Sequence, residues 1–105
     1  MGKNDVLAIL QKFRLALEEK KVHVERMVLF GSWAKGTQHE GSDIDVVVVS
    51  RDFEGKDQWN RIKMIGGAVY KVFAPIQAAT VTPHEWDSRS MTICELAKDG
   101  EVLAV

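Results

Sequence analysis

Residues 30–50 read Phe30-Gly-Ser-Trp-Ala-Lys-Gly-Thr-Gln-His-Glu-Gly-Ser-Asp-Ile-Asp-Val-Val-Val-Val-Ser50. The stretch has the form of a buried strand end, a glycine-rich turn into a very short helix, the polar loop Thr37–Ser42, and a second strand opening at Asp43. Side chains alternate faces along a strand, so Asp43 and Asp45 project from one side, about 6.5–7 Å apart along the chain. Carboxylates held that way repel and raise one another's pKa unless a cation lies between them. Hard oxygen donors suit Mg²⁺ or Mn²⁺ rather than zinc. The turn supplies the opposite charge preference. Gly31 lets backbone approach a ligand, Ser32 is a candidate helix cap beside free N–H groups, and Lys35 adds a positive charge. A carboxylate pair facing an anion cradle is a layout for holding a nucleoside triphosphate.

The order Gly31-Ser32, ten intervening residues, then Asp43-Ile44-Asp45 resembles the signature of the DNA polymerase β-like nucleotidyltransferase superfamily. Gly31–Gly36 followed by Ser42-Asp-Ile-Asp-Val46 is most similar to its minimal nucleotidyltransferase (MNT) branch. The resemblance implies an α/β (α+β) nucleotidyltransferase fold, with a small mixed β-sheet and helices packed mainly on one face. It also implies Mg²⁺-dependent (or Mn²⁺-dependent) transfer of NMP, with ATP the expected donor, to an acceptor hydroxyl. Asp43 and Asp45 take the catalytic and metal-binding places, while Gly31, Ser32, Lys35 and Ser42 take those of nucleotide binding. As a partner it implies a helical HEPN-type protein, as in toxin–antitoxin pairs; a homodimer is a separate expectation for the chain.

Two positions depart from the superfamily pattern. Lys35 stands where many relatives carry Arg, keeping the charge but losing the forked bidentate geometry. Aligning the third strand on Val81-Thr82-Pro83 puts Gln77 where a third catalytic carboxylate is expected, and no Asp or Glu lies between Asp57 and Glu85 to replace it. A glutamine amide can coordinate through oxygen but cannot accept a proton from a nucleophile. The alternative is therefore a catalytically degenerate nucleotide-binding or antitoxin module acting by contact. Glu40, in the polar loop, is a further acidic group beside the pair, although a surface loop is its simpler reading.

The 105 residues suit one domain, 1–105, with a single core. A net charge of −1 and no dense basic run give no general electrostatic case for nucleic acid. The lone Cys94 excludes an internal disulfide and fits a reducing compartment. No apolar run approaches membrane-spanning length, and a cytoplasmic location is expected.

Along the chain, the spacing of Val6, Ile9, Leu10, Phe13 and Leu17 predicts an amphipathic helix capped at Asn4 or Asp5 and ending near Lys20. Val24–Phe30, Asp43–Ser50 and Pro75–Thr82 are the expected strands, and Val102–Val105 a short terminal one. A helix over Lys56–Val72 is expected to bury Trp59, Ile62, Ile65 and Val69, with Gly66-Gly67 packed closely against a neighbour. Pro83–Trp86 reads as a turn and Ser90–Lys98 as the last helix. Trp33, Trp59 and Trp86 read as core or interface residues, and Met27, Met64 and Met91 as packing.

Overall fold

Val46 to Val49 have no water-facing side, with relative exposures of 0, 0, 0 and 3%. A strand apolar on both faces must lie inside a sheet covered on both sides. The computed structural model, which describes residues 1–39 and 41–103, places it there. In chain order the elements are α1 (Lys3–Glu19), β1 (Arg26–Phe30), α2 (Ser32–Lys35), β2 (Ile44–Val49), a 3₁₀ turn at Arg51–Phe53, α3 (Gln58–Val72), β3 (Ile76–Val81), α4 (Pro83–Ser88), α5 (Thr92–Ala97) and β4 (Glu101–Val102). Strand order is β3-β2-β1-β4. β1 runs antiparallel to β2 and β4, while β2 and β3, joined through α3, are parallel. This is the mixed sheet that the resemblance implies.

The pleat divides the core. Val46 and Val48 join Leu10, Phe13, Leu17 and Ile65 under the long helices α1 and α3. Val47 and Val49 face the other way, packing with Val28, Val81, Trp86, Cys94 and Ala97 beneath the short helices α4 and α5. The long helices thus occupy one face, and the opposite face is covered more thinly. Ala104 and Val105, part of the expected terminal strand, lie outside the described residues.

Several boundaries and faces differ from expectation for identifiable reasons. α1 begins at Lys3, and Asp5 acts from within the first turn, its carboxylate accepting the Gly2 N–H at 2.8 Å. Pro83 starts a helix instead of a turn, because Thr82 and Glu85 cap each other: the Glu85 N–H donates to Thr82 Oγ1 at 3.1 Å and the Thr82 N–H to Glu85 Oε1 at 2.8 Å. The largest correction concerns α3. Its buried face is Arg61, Ile65 and Ala68, whereas Trp59 and Ile62 are exposed. An arginine normally marks the wet side of a helix, but Arg61 is satisfied inside, donating to Lys56 O, Thr80 O and the Glu85 carboxylate. The glycine pair is closely packed at one member: a Cβ at Gly66 would meet nothing within 4 Å, whereas one at Gly67 would press on the end of the Lys20 side chain. Both sit in unbroken helix, each costing about 1 kcal/mol relative to Ala.

The Arg61–Glu85 pair, 2.7 Å apart and mostly shielded, ties α3 to the end of β3 and the start of α4. Burial pushes the Glu85 carboxyl up, but the Arg61 guanidinium and the Thr82 N–H outweigh it and hold it below the usual range. A depressed carboxyl stabilises the fold above its unfolded pKa, and that contribution is lost as pH falls through the folded value. Glu85→Gln should lower stability at pH 7 by about 2–3 kcal/mol, somewhat under the cost of stranding a fully buried charge. Its deficit should shrink on acidification, as urea melts at pH 7 and pH 3.5 would show.

Candidate active site

β1 and β2 end together where Phe30 pairs with Asp45. The chain then leaves β1 through Gly31, with φ 71° and ψ −151°, a backbone conformation that side chains other than glycine's rarely adopt. The reason for glycine is visible: a Cβ there would overlap the Asp45 carboxylate. The backbone of the Gly31-Ser32 turn is therefore packed directly onto the second aspartate. Gly31 is the N-cap of α2, so Ser32 occupies the first helical position and makes no capping bond, in contrast to its expected role. The Ser32 carbonyl closes the turn by accepting the Gly36 and Thr37 N–H groups.

Asp45 and Asp43 share one face of the sheet end. The parallel register sets Gln77 directly across from Asp45. Its amide nitrogen donates to Asp43 Oδ2 at 3.5 Å, a long contact. Asp43, Asp45 and Gln77 thus form a three-residue cluster, with Gly31 behind it. Burial first, and then the charge of Asp43, push the Asp45 carboxyl above its usual range. Glu85 is spent on Arg61 and Thr82 and does not replace the missing third carboxylate. Glu40 lies outside the described residues.

The remaining sequence-derived positions are nearer the rim. Lys35 ends α2 and is exposed. Ser42 is bound into its own loop: its hydroxyl accepts the His39 N–H at 2.9 Å, and its N–H donates to His39 O at 3.0 Å. Composition gave no sign of the site's walls. One cleft, about 270 Å³, lies between Asp45, Gln77, Phe30, Ala78, Ala79 and Ile93 of α5. A second, about 510 Å³, is bordered by Ser42 together with Trp33, Gln38, His39, Gly41 and Pro75. The Trp33 indole N–H is buried without an acceptor among the described residues. Period-two alternation carried from Asp45 onto the paired strands picks out Phe30, Gln77 and Ala79. Ile93 comes from a separate helix and leaves no such trace.

A glycine-cradled Asp-x-Asp at the end of paired strands, on a mixed sheet of this order, agrees with a family-wide match. The model of the nucleotidyltransferase domain family matches residues 10–98. The chain belongs to the nucleotidyltransferase domain family, within the DNA polymerase β-like superfamily. Its fold is shared by a crystal structure of a candidate nucleotidyltransferase from Sulfolobus solfataricus, with a TM-score of 0.74 at 18% identity, covering 95% of this chain and 80% of that one. A second candidate nucleotidyltransferase structure gives 0.60 at 23% identity, covering 90% and 96%. At these identities the likeness concerns the fold. The chain is also 31% identical over 85 residues to Protein BOLA2 of Arabidopsis thaliana, covering 77% of this chain and 84% of that protein.

The donor set fits a hard divalent cation. Two carboxylates on one face, one with a raised pKa, would hold the ion, and an amide oxygen and substrate phosphates could complete its shell. Without the ion, a carboxyl raised in the folded state lets that state bind protons more readily than the unfolded chain. Its favourable contribution is therefore present at low pH and lost as pH rises through the raised value. In EDTA, Asp45→Asn should melt higher than the unmodified domain at pH 7, and the gap should close towards pH 4. Differential scanning calorimetry reads both ends of that range.

Proposed function

We propose that this domain binds a nucleoside triphosphate, ATP in the leading case, with Mg²⁺ or Mn²⁺ and transfers its NMP group to an acceptor hydroxyl. The observation that carries this reading is the backbone of Gly31-Ser32 packed against the Asp45 carboxylate, with Asp43 on the same face. Gly31 brings main chain close to where a triphosphate would lie. Ser32 supplies a hydroxyl, and Lys35 an exposed cation for phosphate oxygens. Asp43 and Asp45 are the residues that would hold the cation, which when bound neutralises the triphosphate and acts as a Lewis acid on the reacting phosphate. The buried valines behind Asp45 keep that carboxylate fixed during the reaction. Ser42, whose hydroxyl accepts the His39 N–H, braces the loop beside the pair and keeps its O–H as a donor for a phosphate oxygen.

This reading predicts tighter binding of the Mg²⁺–ATP complex than of adenosine, and a higher melting temperature in its presence, because the ligand favours the folded state. The Asp43→Asn/Asp45→Asn double variant should lose at least about tenfold in affinity, or roughly 1.4 kcal/mol. Titration calorimetry showing equal affinity in that variant would remove the metal assignment.

Gln77 favours a second reading, in which the domain binds nucleotide but turns it over slowly or not at all. Opposite Asp45 in register, it donates to Asp43 from an uncharged amide where transfer needs a group that polarises or deprotonates the incoming hydroxyl. Loss of one acid–base contribution typically costs about 10²–10⁴-fold in rate, or roughly 3–5 kcal/mol. A domain of this kind fits the MNT branch acting on, or simply contacting, a helical HEPN-type partner as an antitoxin does. The two readings separate in a radiolabelled-ATP transfer assay with and without such a partner. Efficient transfer by the unmodified domain alone supports the enzyme. Transfer that appears only in Gln77→Asp, at similar nucleotide affinity, supports the binding module.

A further inference from the structure

The outer face of α3 takes no part in the core or in the candidate active site. Trp59, Ile62, Tyr70 and Phe73 are 68, 53, 74 and 82% exposed, although each is large and apolar or aromatic. At about 100° per residue, Trp59, Ile62, Gly66 and Tyr70 fall within a stripe roughly 80° wide. Phe73, the C-cap, extends it, its ring centroid 5.3 Å from that of Tyr70. Scattered surface hydrophobics need no explanation, but a contiguous stripe along one helix marks an interaction surface. Gly66, in the middle of it, faces open space, so its missing side chain serves no contact within this chain. Phe73 is also out of keeping with its local setting, because its φ of 52° is one that glycine fills more easily.

We propose that this stripe is the interface of a symmetric homodimer, in which α3 crosses the α3 of a second copy antiparallel at Gly66. The occupant follows from the spacing. Ile62 lies four residues before Gly66 and Tyr70 four after; Trp59 lies seven before and Phe73 seven after. A two-fold axis through Gly66 therefore sets Ile62 against Tyr70 of the second copy, and Trp59 against its Phe73. Lys63 falls opposite Val69, so no like charges meet along the seam. Such near-palindromic order is what an isologous interface needs and what an unrelated partner would not require. Glycine at the crossing point lets the two backbones approach.

The area is adequate as well. Aromatic side chains bury about 150–250 Å² each, so at the observed exposures Trp59, Tyr70 and Phe73 offer roughly 340–560 Å² per copy, with Ile62 in addition. That is half or more of the ~800 Å² that one side of a standard interface contributes. Tyr and Trp are also residue types that concentrate binding energy in interfaces.

The test is sedimentation equilibrium of the full chain over a concentration series. The unmodified protein should show a reversible monomer–dimer equilibrium. Gly66→Gln adds a side chain where the monomer has free space and improves helix propensity, so its melting temperature as a dilute monomer should hold or rise. Its dimer dissociation constant should nevertheless rise at least about tenfold. Cys94 is buried, so under mild oxidation Gly66→Cys should give a disulfide-linked dimer, whereas Glu95→Cys on α5 should not. A monomer at every concentration would overturn the proposal, even if a different protein were then found on this face. So would a dimer whose affinity Gly66→Gln leaves unchanged, because its contact would lie elsewhere.

Discussion

The exclusion of Val46–Val49 from water on both faces of β2 is what allows two aspartates to stand at the head of the same strand. Burying a valine side chain contributes about 1.5–3 kcal/mol, so the run supplies roughly 6–12 kcal/mol towards keeping β2 in place. Two carboxylates about 7 Å apart repel by roughly 0.6–2.4 kcal/mol for effective dielectric constants of about 80 to 20. The hydrophobic term exceeds the electrostatic one several-fold, so the fold retains a charge pair that local electrostatics alone would push apart. The repulsion remains, and after burial it is the second cause of the raised pKa of Asp45. Little in the protein relieves that repulsion by its own side chains. Among the described residues, the only hydrogen bond to either carboxylate is the long one from Gln77.

Much of this arrangement was legible in the sequence because it rests on short-range rules. The alternation that puts Asp43 and Asp45 on one side, the glycine before Ser32, and the valine run all act within a few residues of one another. Even the place of Gln77 could be found, since Val81-Thr82-Pro83 anchors its strand and the parallel register then fixes its neighbour. What stayed hidden depends on distant partners. Arg61 is buried because Glu85, 24 residues later, meets it, and that single pairing turns α3 so that Ile65 and Ala68 face inward while Trp59 and Ile62 face out. A hydrophobic pattern foresees Ile65 and Val69 on the inner side but not an arginine there, and so it places Trp59 and Ile62 on the wrong face. The helix at Pro83–Ser88 was missed on a smaller scale. Its Thr82/Glu85 cap is visible in the sequence, and a proline reads as a turn residue although it also suits a first helical turn.

Gln77 has a consequence for solubility as well as for chemistry. β3 closes one side of the sheet, and among the described strands only β2 pairs with it, which leaves its other row of N–H and C=O groups open to strand addition. Natural edge strands commonly deter such pairing with a charge, a proline or a bulge. Ile-Gln-Ala-Ala-Thr-Val, from Ile76 to Val81, carries none of these deterrents in its sequence, since its single long polar side chain is neutral. With glutamine at position 77, β3 has no charged side chain to discourage edge-to-edge association, and protection of that edge falls to Pro75 and Pro83 immediately outside the strand.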